Sequence, residues 1–293
     1  MNRACCEITG FSELLQRFER NISILGRSKR TFENYSRHVA ALALHFGALP
    51  TDLHPEQVKD YLFELQQRSN SPSQSYFKHT VYGLRFLLKS ENLPYDYLHL
   101  PSIPKEKKLP VILSREEIWR MLQHADLLKH RLLIGLIYGC GLRCMEVRNI
   151  ELKHLDFDRK LLHIVQSKGK KDRYVPLPES ILLELRAYYI QYKPKVYLFE
   201  HNANDPISTR TIQAVFKNAM NKAQINKKVG IHGLRHSYAT HLLEQGTDMS
   251  FIQKLLGHNH VKTTEVYAKV TNTFLSKVVS PLDTLYLPHS KKR

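Results

Sequence analysis

Between residues 94 and 110 the chain carries four prolines, Pro94, Pro101, Pro104 and Pro110, which enclose Lys105, Lys107 and Lys108. Proline removes a backbone donor and pushes the residue before it out of the helical region, while lysine resists burial. The stretch therefore reads as a linker rather than a helix interior or a core strand. It divides the 293 residues into two parts, in keeping with a prior of roughly 150 residues per domain. The expected organisation is a helical domain over 8–94, the basic linker over 95–110, a second domain over 111–270 and a tail over 271–293. Composition alone leaves two readings of the linker open: a strap that follows a polyanion, or a merely solvated connection.

Charge is shared unevenly across this divide. Residues 1–100 hold 12 basic and 10 acidic side chains, whereas residues 101–293 hold 32 and 17. Most of the formal net charge of +17 thus sits in the second part, which points to a polyanionic partner. With 42% hydrophobic residues, the chain is a folded basic protein rather than a disordered basic tail. The longest apolar stretch, Leu132 to Leu142, lies between Arg131 and Arg143, well short of the ~20 residues of a membrane span. The opening MNRACCEITGF has no apolar core of a secretory signal, so a cytoplasmic protein without a membrane partner is expected. Cys5, Cys6, Cys140 and Cys144 are too few for a disulfide framework, and reduced thiols are expected. Cys140 and Cys144 read either as small core residues or as metal ligands with histidines.

The fold class expected is mainly α with a small β-hairpin. In the first part Tyr35, Val39, Leu42 and Phe46 recur at helical spacing, Val58 to Leu65 follows a Thr-Asp and proline start, and a further helix runs from about Ser75 to Leu88. Four helices with short turns make a bundle. In the second part Ser114 and Glu117 form a capping box that opens a helix, and Leu132 to Tyr138 reads as a buried helix ended by Gly139 and Gly141. Leu161 to Gln166 and Tyr174 to Leu177 read as two strands around the lysine-rich turn SKGKKDR. Helices are then expected over about Ser180–Gln191, Thr209–Ala223, Leu234–Glu244 and Met249–Leu256.

Five segments of the second part place reactive side chains beside turns and helix ends: GCGLRCMEV, SKGKKDRYVPL, HGLRH, LGHNH and TTEVY. Two guanidiniums can fork onto phosphate oxygens and stabilise the added charge of a five-coordinate transition state. His232 and Arg235, three apart at a helix start, project to one face, where the helix N-terminus adds its positive end. A tyrosine phenol with a pKa of about 10 is a poor nucleophile at neutral pH until cations or a base draw off its proton. A lysine on the hairpin is a candidate general acid for a leaving 5′ oxygen.

In family order and spacing, GLRxxE, the hairpin lysine, HxLRHxxAxxLxxxG, LGHxxxxTTxxY and the late SPLD segment resemble the tyrosine recombinase, or phage integrase, superfamily, in its Xer-type and mobile-element branches. The first part, with Gly26, Ser28, Thr31 and Tyr35, is similar to that family's helical, SAM-like core-binding bundle. The resemblance covers nearly the whole chain. It implies that Arg143 and Arg235 clamp the scissile phosphate, His232 assists proton transfer, His258 hydrogen-bonds a phosphate oxygen, Lys168 protonates the leaving 5′ hydroxyl and Tyr267 attacks to give a 3′-phosphotyrosine. Glu146 matches the acidic position that supports the first arginine. The implied partner is double-stranded DNA, held by a tetramer of this chain that is monomeric in free solution, with an accessory DNA-bending protein as a further partner. No cofactor, metal or ATP is implied.

Each residue also has a plainer reading. Arg143 can cap a helix end. Lys168, Lys170, Lys171 and Arg173 can all form a solvated turn that touches phosphates, and only the resemblance singles out Lys168. His232 and His236, four apart, suggest a metal pair, but no H-E-x-x-H pattern completes it. Arg27, Lys29 and Arg30 begin a helix of the first part and are candidates for contacts with DNA. Leu234 to Leu256, turned at Gly246, can also be read as a helix-turn-helix, which keeps a non-catalytic DNA-binding regulator open beside the recombinase; a metal-dependent nuclease built on the histidines is a third reading. The partly apolar tail can dock on a neighbouring protomer or pack on its own domain.

Overall fold

The computed structural model describes residues 1–67, 74–93, 109–165, 172–202, 204–258, 264 and 267. The chain forms two compact units, Met1–Glu106 and Lys107–Arg293. Both are mainly helical, with small sheets confined to the second.

The first unit consists of α1 (Asn2–Glu7), α2 (Phe11–Ile24), α3 (Lys29–Phe46), α4 (Pro55–Gln67) and α5 (Gln74–Ser90). On α2, Phe11, Leu14, Phe18 and Ile22 fall three and four apart and are all buried, the stripe that an amphipathic helix presents to a core. They meet Phe32, Val39, Ala40 and Ala43 of α3, while Leu42 turns to a second cluster with Val58, Leu62, Leu65, Val81 and Leu84. The Ser28 hydroxyl accepts the Thr31 N–H at 3.3 Å and caps α3, the role for which serine is favoured at that position. Arg27, Lys29 and Arg30 are exposed around this cap. Among the described residues there is one helix more than the expected four, because α1 has six residues and buries only Ala4, too little pattern to read. His38 is buried, with Nδ1 3.0 Å from Thr80 Oγ1. Burial, aided by the His79 and Arg37 charges, pushes its pKa down to about 4.

The second unit runs α6 (Arg115–Gln123), α7 (Leu128–Gly139), α8 (Cys144–Arg148), β1 (Leu155–Asp156), β2 (Leu161–Ile164), β3 (Arg173–Pro176), α9 (Glu179–Tyr192), β4 (Glu200–Asn202), β5 (Asp205–Pro206), α10 (Thr209–Lys222), α11 (His232–Glu244) and α12 (Met249–Leu256). The capping box of α6 is formed: Glu117 N–H donates to Ser114 Oγ at 3.2 Å and Ser114 N–H to Glu117 at 2.7 Å. Strands β1, β2 and β3 make an antiparallel sheet in which His163 faces Tyr174 and Ile164 faces Arg173. The pieces that the periodicity did not reveal, β1, β4, β5 and α8, are two to five residues long, too short for a pattern to repeat. Helix α7 is buried from Leu132 to Ile137. Helix α11 is enclosed over Gly233–Arg235 and Ser237–His241, so it serves as a core element.

Among the described residues no helix is long and apolar enough to cross a membrane. Cys140 lies in the core with its thiol pushed up to about 12 by burial, and Cys144 packs against that core. Lys168, Lys170 and Lys171 of the expected hairpin turn, and the tail 271–293, lie outside the described residues.

Candidate active site

The site is built where α8, β3, α11 and the end of α12 meet, and its centre is a carboxylate. Glu146 accepts the Arg143 backbone N–H at 2.8 Å, which starts α8, and pairs with the Arg143 guanidinium at 2.6 Å. From β3 the Arg173 guanidinium reaches the same carboxylate with two bonds of 2.9 and 2.8 Å. Arg235 lies 3.6 Å from it. Burial alone would raise the Glu146 pKa, but the Arg173 hydrogen bonds and charge, the Arg143 N–H and the Arg235 charge hold it well below the usual carboxylate range. One buried anion thereby sets three arginines in a fixed arrangement.

The C-terminal end of α12 supplies the opposite wall. A helix end leaves carbonyls without intrahelical partners and carries the negative end of the dipole. Here those carbonyls are taken by arginines: Arg173 Nε donates to Leu255 O at 2.7 Å, Arg235 Nη2 to Leu256 O at 2.5 Å and Arg143 Nη2 to Gly257 O at 3.4 Å. Gly257, at φ +61°, closes α12 and turns the chain into His258; a Cβ there would meet Arg173 Cδ at 3.1 Å. Arg235 Nη1 also donates to Gly141 O at 2.6 Å. Gly141 sits at φ +60°, and the Tyr238 ring fills the space a Cβ would take, so α7 ends against α11 as only glycine permits. Arg235 exposes none of its surface. Burial and the Arg143 charge push its pKa down to about 9, which still leaves it charged at neutral pH.

Histidines surround the remaining residue. His232, first on α11, is exposed, and its pKa is lowered by desolvation and then by the Arg235 and Arg143 charges. His236 packs edge-on against it with ring centroids 4.5 Å apart. Tyr267, 2% exposed, lies between His236 and His258: its Oη is 3.2 Å from His236 Nδ1, and its ring stacks on His258 at 17° with centroids 6.3 Å apart. His258 Nδ1 is 3.1 Å from Thr264 Oγ1, and burial followed by the Arg235 and Arg143 charges pushes its pKa down to about 3. Tyr267 is raised by burial, partly offset by Arg235 and Arg143. Arg235 and Arg143 each pull this phenol down, as expected of neighbouring cations, but enclosure outweighs them.

The structure thus brings Arg143, Glu146, Arg235, His232, His258 and Tyr267 into one site, beside a cleft of about 440 Å³ lined by Arg143, Glu146, Asn149, His154, His163 and His232. Arg173 is a correction. It was expected on the solvated turn and touching DNA; instead it is a residue of β3, its side chain 8% exposed and turned inward onto Glu146. Pairing with Ile164 puts it on the inner side of the sheet beside the buried carboxylate. His236 and Thr264 are contacts that the sequence reading missed: the second histidine of HGLRH was weighed only as a metal ligand, and the TT pair only as spacing. Among the described residues no group of three His, Cys, Asp or Glu side chains is arranged to hold a metal ion.

A mainly helical two-unit chain with this arginine, histidine and tyrosine cluster is of the class that acts on DNA phosphates. Residues 112–273 match the phage integrase family and residues 14–90 the phage integrase N-terminal SAM-like domain. The chain belongs to the phage integrase family, the site-specific tyrosine recombinases. It is 32% identical over 281 residues to the putative integrase/recombinase y4qK of Sinorhizobium fredii, covering 94% of this chain and 90% of that one. It is 35% identical over 274 residues to tyrosine recombinase XerA of Thermococcus kodakarensis, covering 91% and 94%. Its fold is similar to that of the XerH recombinase in a post-cleavage complex with difH DNA (TM-score 0.71, 21% identity, covering 86% and 80%). It is also similar to that of a lambda integrase dimer bound to a core site (TM-score 0.69, 18% identity, covering 86% and 96%).

Proposed function

We propose that the chain cuts and rejoins duplex DNA at specific sites through a 3′-phosphotyrosine intermediate, without metal or ATP. The observation that carries this reading is the convergence of Arg143 and Arg235, oriented by Glu146, with Tyr267 held between His236 and His258. Arg143 and Arg235 clamp the scissile phosphate and stabilise the five-coordinate transition state. His232, at the first position of α11, binds a phosphate oxygen with help from the helix N-terminus and assists proton movement. When Thr264 donates to Nδ1 of His258, the proton of that neutral ring sits on Nε2, free to donate to a second phosphate oxygen. Tyr267 Oη attacks phosphorus, and Lys168 protonates the leaving 5′ oxygen. A 5′ hydroxyl from another strand reverses the step, so the phosphodiester energy is conserved in the phosphotyrosine and strand exchange needs no ATP.

Because Arg235 exposes none of its surface, a phosphate reaches it only after part of the surrounding wall moves, and we assign that movement to DNA binding. The solved complexes of XerH with difH and of lambda integrase with its core site support duplex DNA as partner. The active form is a tetramer of this chain on DNA, monomeric in free solution, with an accessory bending protein where the DNA path requires one.

Covalent trapping tests the reading. Protein is mixed with labelled fragments from the DNA flanking its gene in EDTA and quenched with SDS, with Tyr267→Phe alongside. A denaturant-resistant adduct is expected in the wild type and none in Tyr267→Phe. Equal adduct in the variant removes Tyr267 as nucleophile, and cleavage that appears only on restoring metal replaces the mechanism with a nuclease.

A further inference from the structure

The second histidine of HGLRH is given no chemical step in the scheme above, yet it touches the nucleophile. His236 Nδ1 lies 3.2 Å from Tyr267 Oη, and the two rings sit 5.6 Å apart at 54°. We propose that His236 is a catalytic residue, the base that takes the Tyr267 phenolic proton on Nδ1 as Oη attacks phosphorus. The proposal rests on the reading of Tyr267 as nucleophile.

The distance is within the reach of a general base, about 2.6–3.2 Å. Acceptance at Nδ1 requires a neutral ring with its proton on Nε2. The surroundings enforce neutrality: burial, His232 on the preceding turn of α11 and the adjacent Arg235 push the His236 pKa down to about 4, and His258 faces it from beyond Tyr267. Arginine and lysine are donors only, so the cations of the site stabilise a phenolate without receiving its proton. With His232 placed on a phosphate oxygen, the ring in contact with Oη, His236, is the acceptor at hand for the phenolic proton. The incoming phosphodiester, negative beside His236, raises the imidazole toward the operating pH.

The step balances. The Tyr267 O–H bond breaks and its proton goes to Nδ1; the oxygen lone pair forms the bond to phosphorus; the bond from phosphorus to O5′ breaks, and O5′ takes a proton from Lys168. In the rejoining step imidazolium returns its proton to the departing phenolate, as microscopic reversibility requires.

Single-turnover adduct formation on a nicked suicide duplex carrying the trapped site is measured from about pH 6 to about pH 9, with DNA affinity in parallel, for wild type, His236→Ala and His236→Gln. The variants are expected to bind DNA normally and to react about 10²–10⁴-fold more slowly near neutral pH. Their rates should climb with pH as hydroxide replaces the base, narrowing the gap, and added imidazole should restore part of the His236→Ala rate. A residue that only positions Tyr267 would lower the rate by one factor at every pH without imidazole rescue. Parallel profiles, or rates within about twofold of wild type, overturn the proposal while leaving Tyr267 as nucleophile. No adduct in wild type, or equal adduct in Tyr267→Phe, removes that reading and this one together. A wild-type measurement guards against misfolded variants: with a bridging 5′-sulfur leaving group that needs no acid, the tyrosine proton is the one left to move. A solvent isotope effect is expected to persist there, and its absence overturns the proposal.

Discussion

Replacing Glu146 with Gln removes the charge that three arginines share while keeping the volume and the acceptor oxygen. The Glu146 side chain is 6% exposed and those of its partners Arg173 and Arg235 are 8% and 1%, so water cannot take over the role of the lost carboxylate. Removing one member of a buried ion pair costs about 3–5 kcal/mol, because the other is left buried and uncompensated. The amide keeps some hydrogen bonding, which puts the expected loss near the lower end, about 3 kcal/mol at neutral pH. The pH dependence carries a sign. The folded pKa of Glu146 is depressed below its ordinary 4.5, so its contribution is fully present above that value. It is lost as pH falls, by up to about 1.4 kcal/mol per unit, because the unfolded chain takes up the proton first. Urea unfolding followed through Trp119, the one tryptophan, reports on the unit that holds the site. The gap between wild type and Glu146→Gln should be constant from neutral pH down to about 5.5 and shrink below about 4.5. A neutral-pH gap under about 1 kcal/mol, or one that does not narrow in acid, refutes the account of Glu146 as the shared counter-charge.

Two further outcomes follow from burial. His38, held neutral with a folded pKa of about 4 against 6.5, contributes stability that is complete above pH 6.5 and lost as pH falls toward 4. Wild type should therefore lose about 1–2 kcal/mol more than His38→Gln across that range, read from far-ultraviolet urea unfolding curves. Gly141→Ala forces a side chain into a left-handed backbone with Tyr238 Cε1 only 2.6 Å from the new Cβ; a loss of about 2–4 kcal/mol is expected, together with reduced adduct formation, because the Gly141 carbonyl anchors Arg235.

The helices long enough to show a period were legible, and α12 matches its expected span of Met249–Leu256. Helix α11 begins two residues ahead of expectation, since His232 and Gly233 add nothing apolar to the pattern. The short strands escaped for the reason already seen in α8: two or three residues contain no repeat. Binary pattern specifies burial against a core, and these strands are held instead by backbone pairing with a neighbouring strand, β1 with β2 and β4 with β5.

The site was legible in a different sense. Its reactive groups could be found because turn glycines and helix starts fix where Arg143, Arg235 and His258 stand, and those are local features. What could not be read was the direction in which each side chain faces. Arg173 belongs to a run of cations whose sequence neighbours suggest solvent, yet strand alternation turns it inward, and the carboxylate that receives it lies 27 residues away. Tyr267 raises the same difficulty with consequences for chemistry. Sequence supplies the cations that would acidify it; the fold buries it, and desolvation prevails over attraction. A nucleophile raised by burial gains less from nearby charge than an exposed one would. It needs an acceptor in contact with its proton and a negative phosphate to rebalance the field, and the first of these, His236, was present in the motif but without a partner that sequence could assign to it.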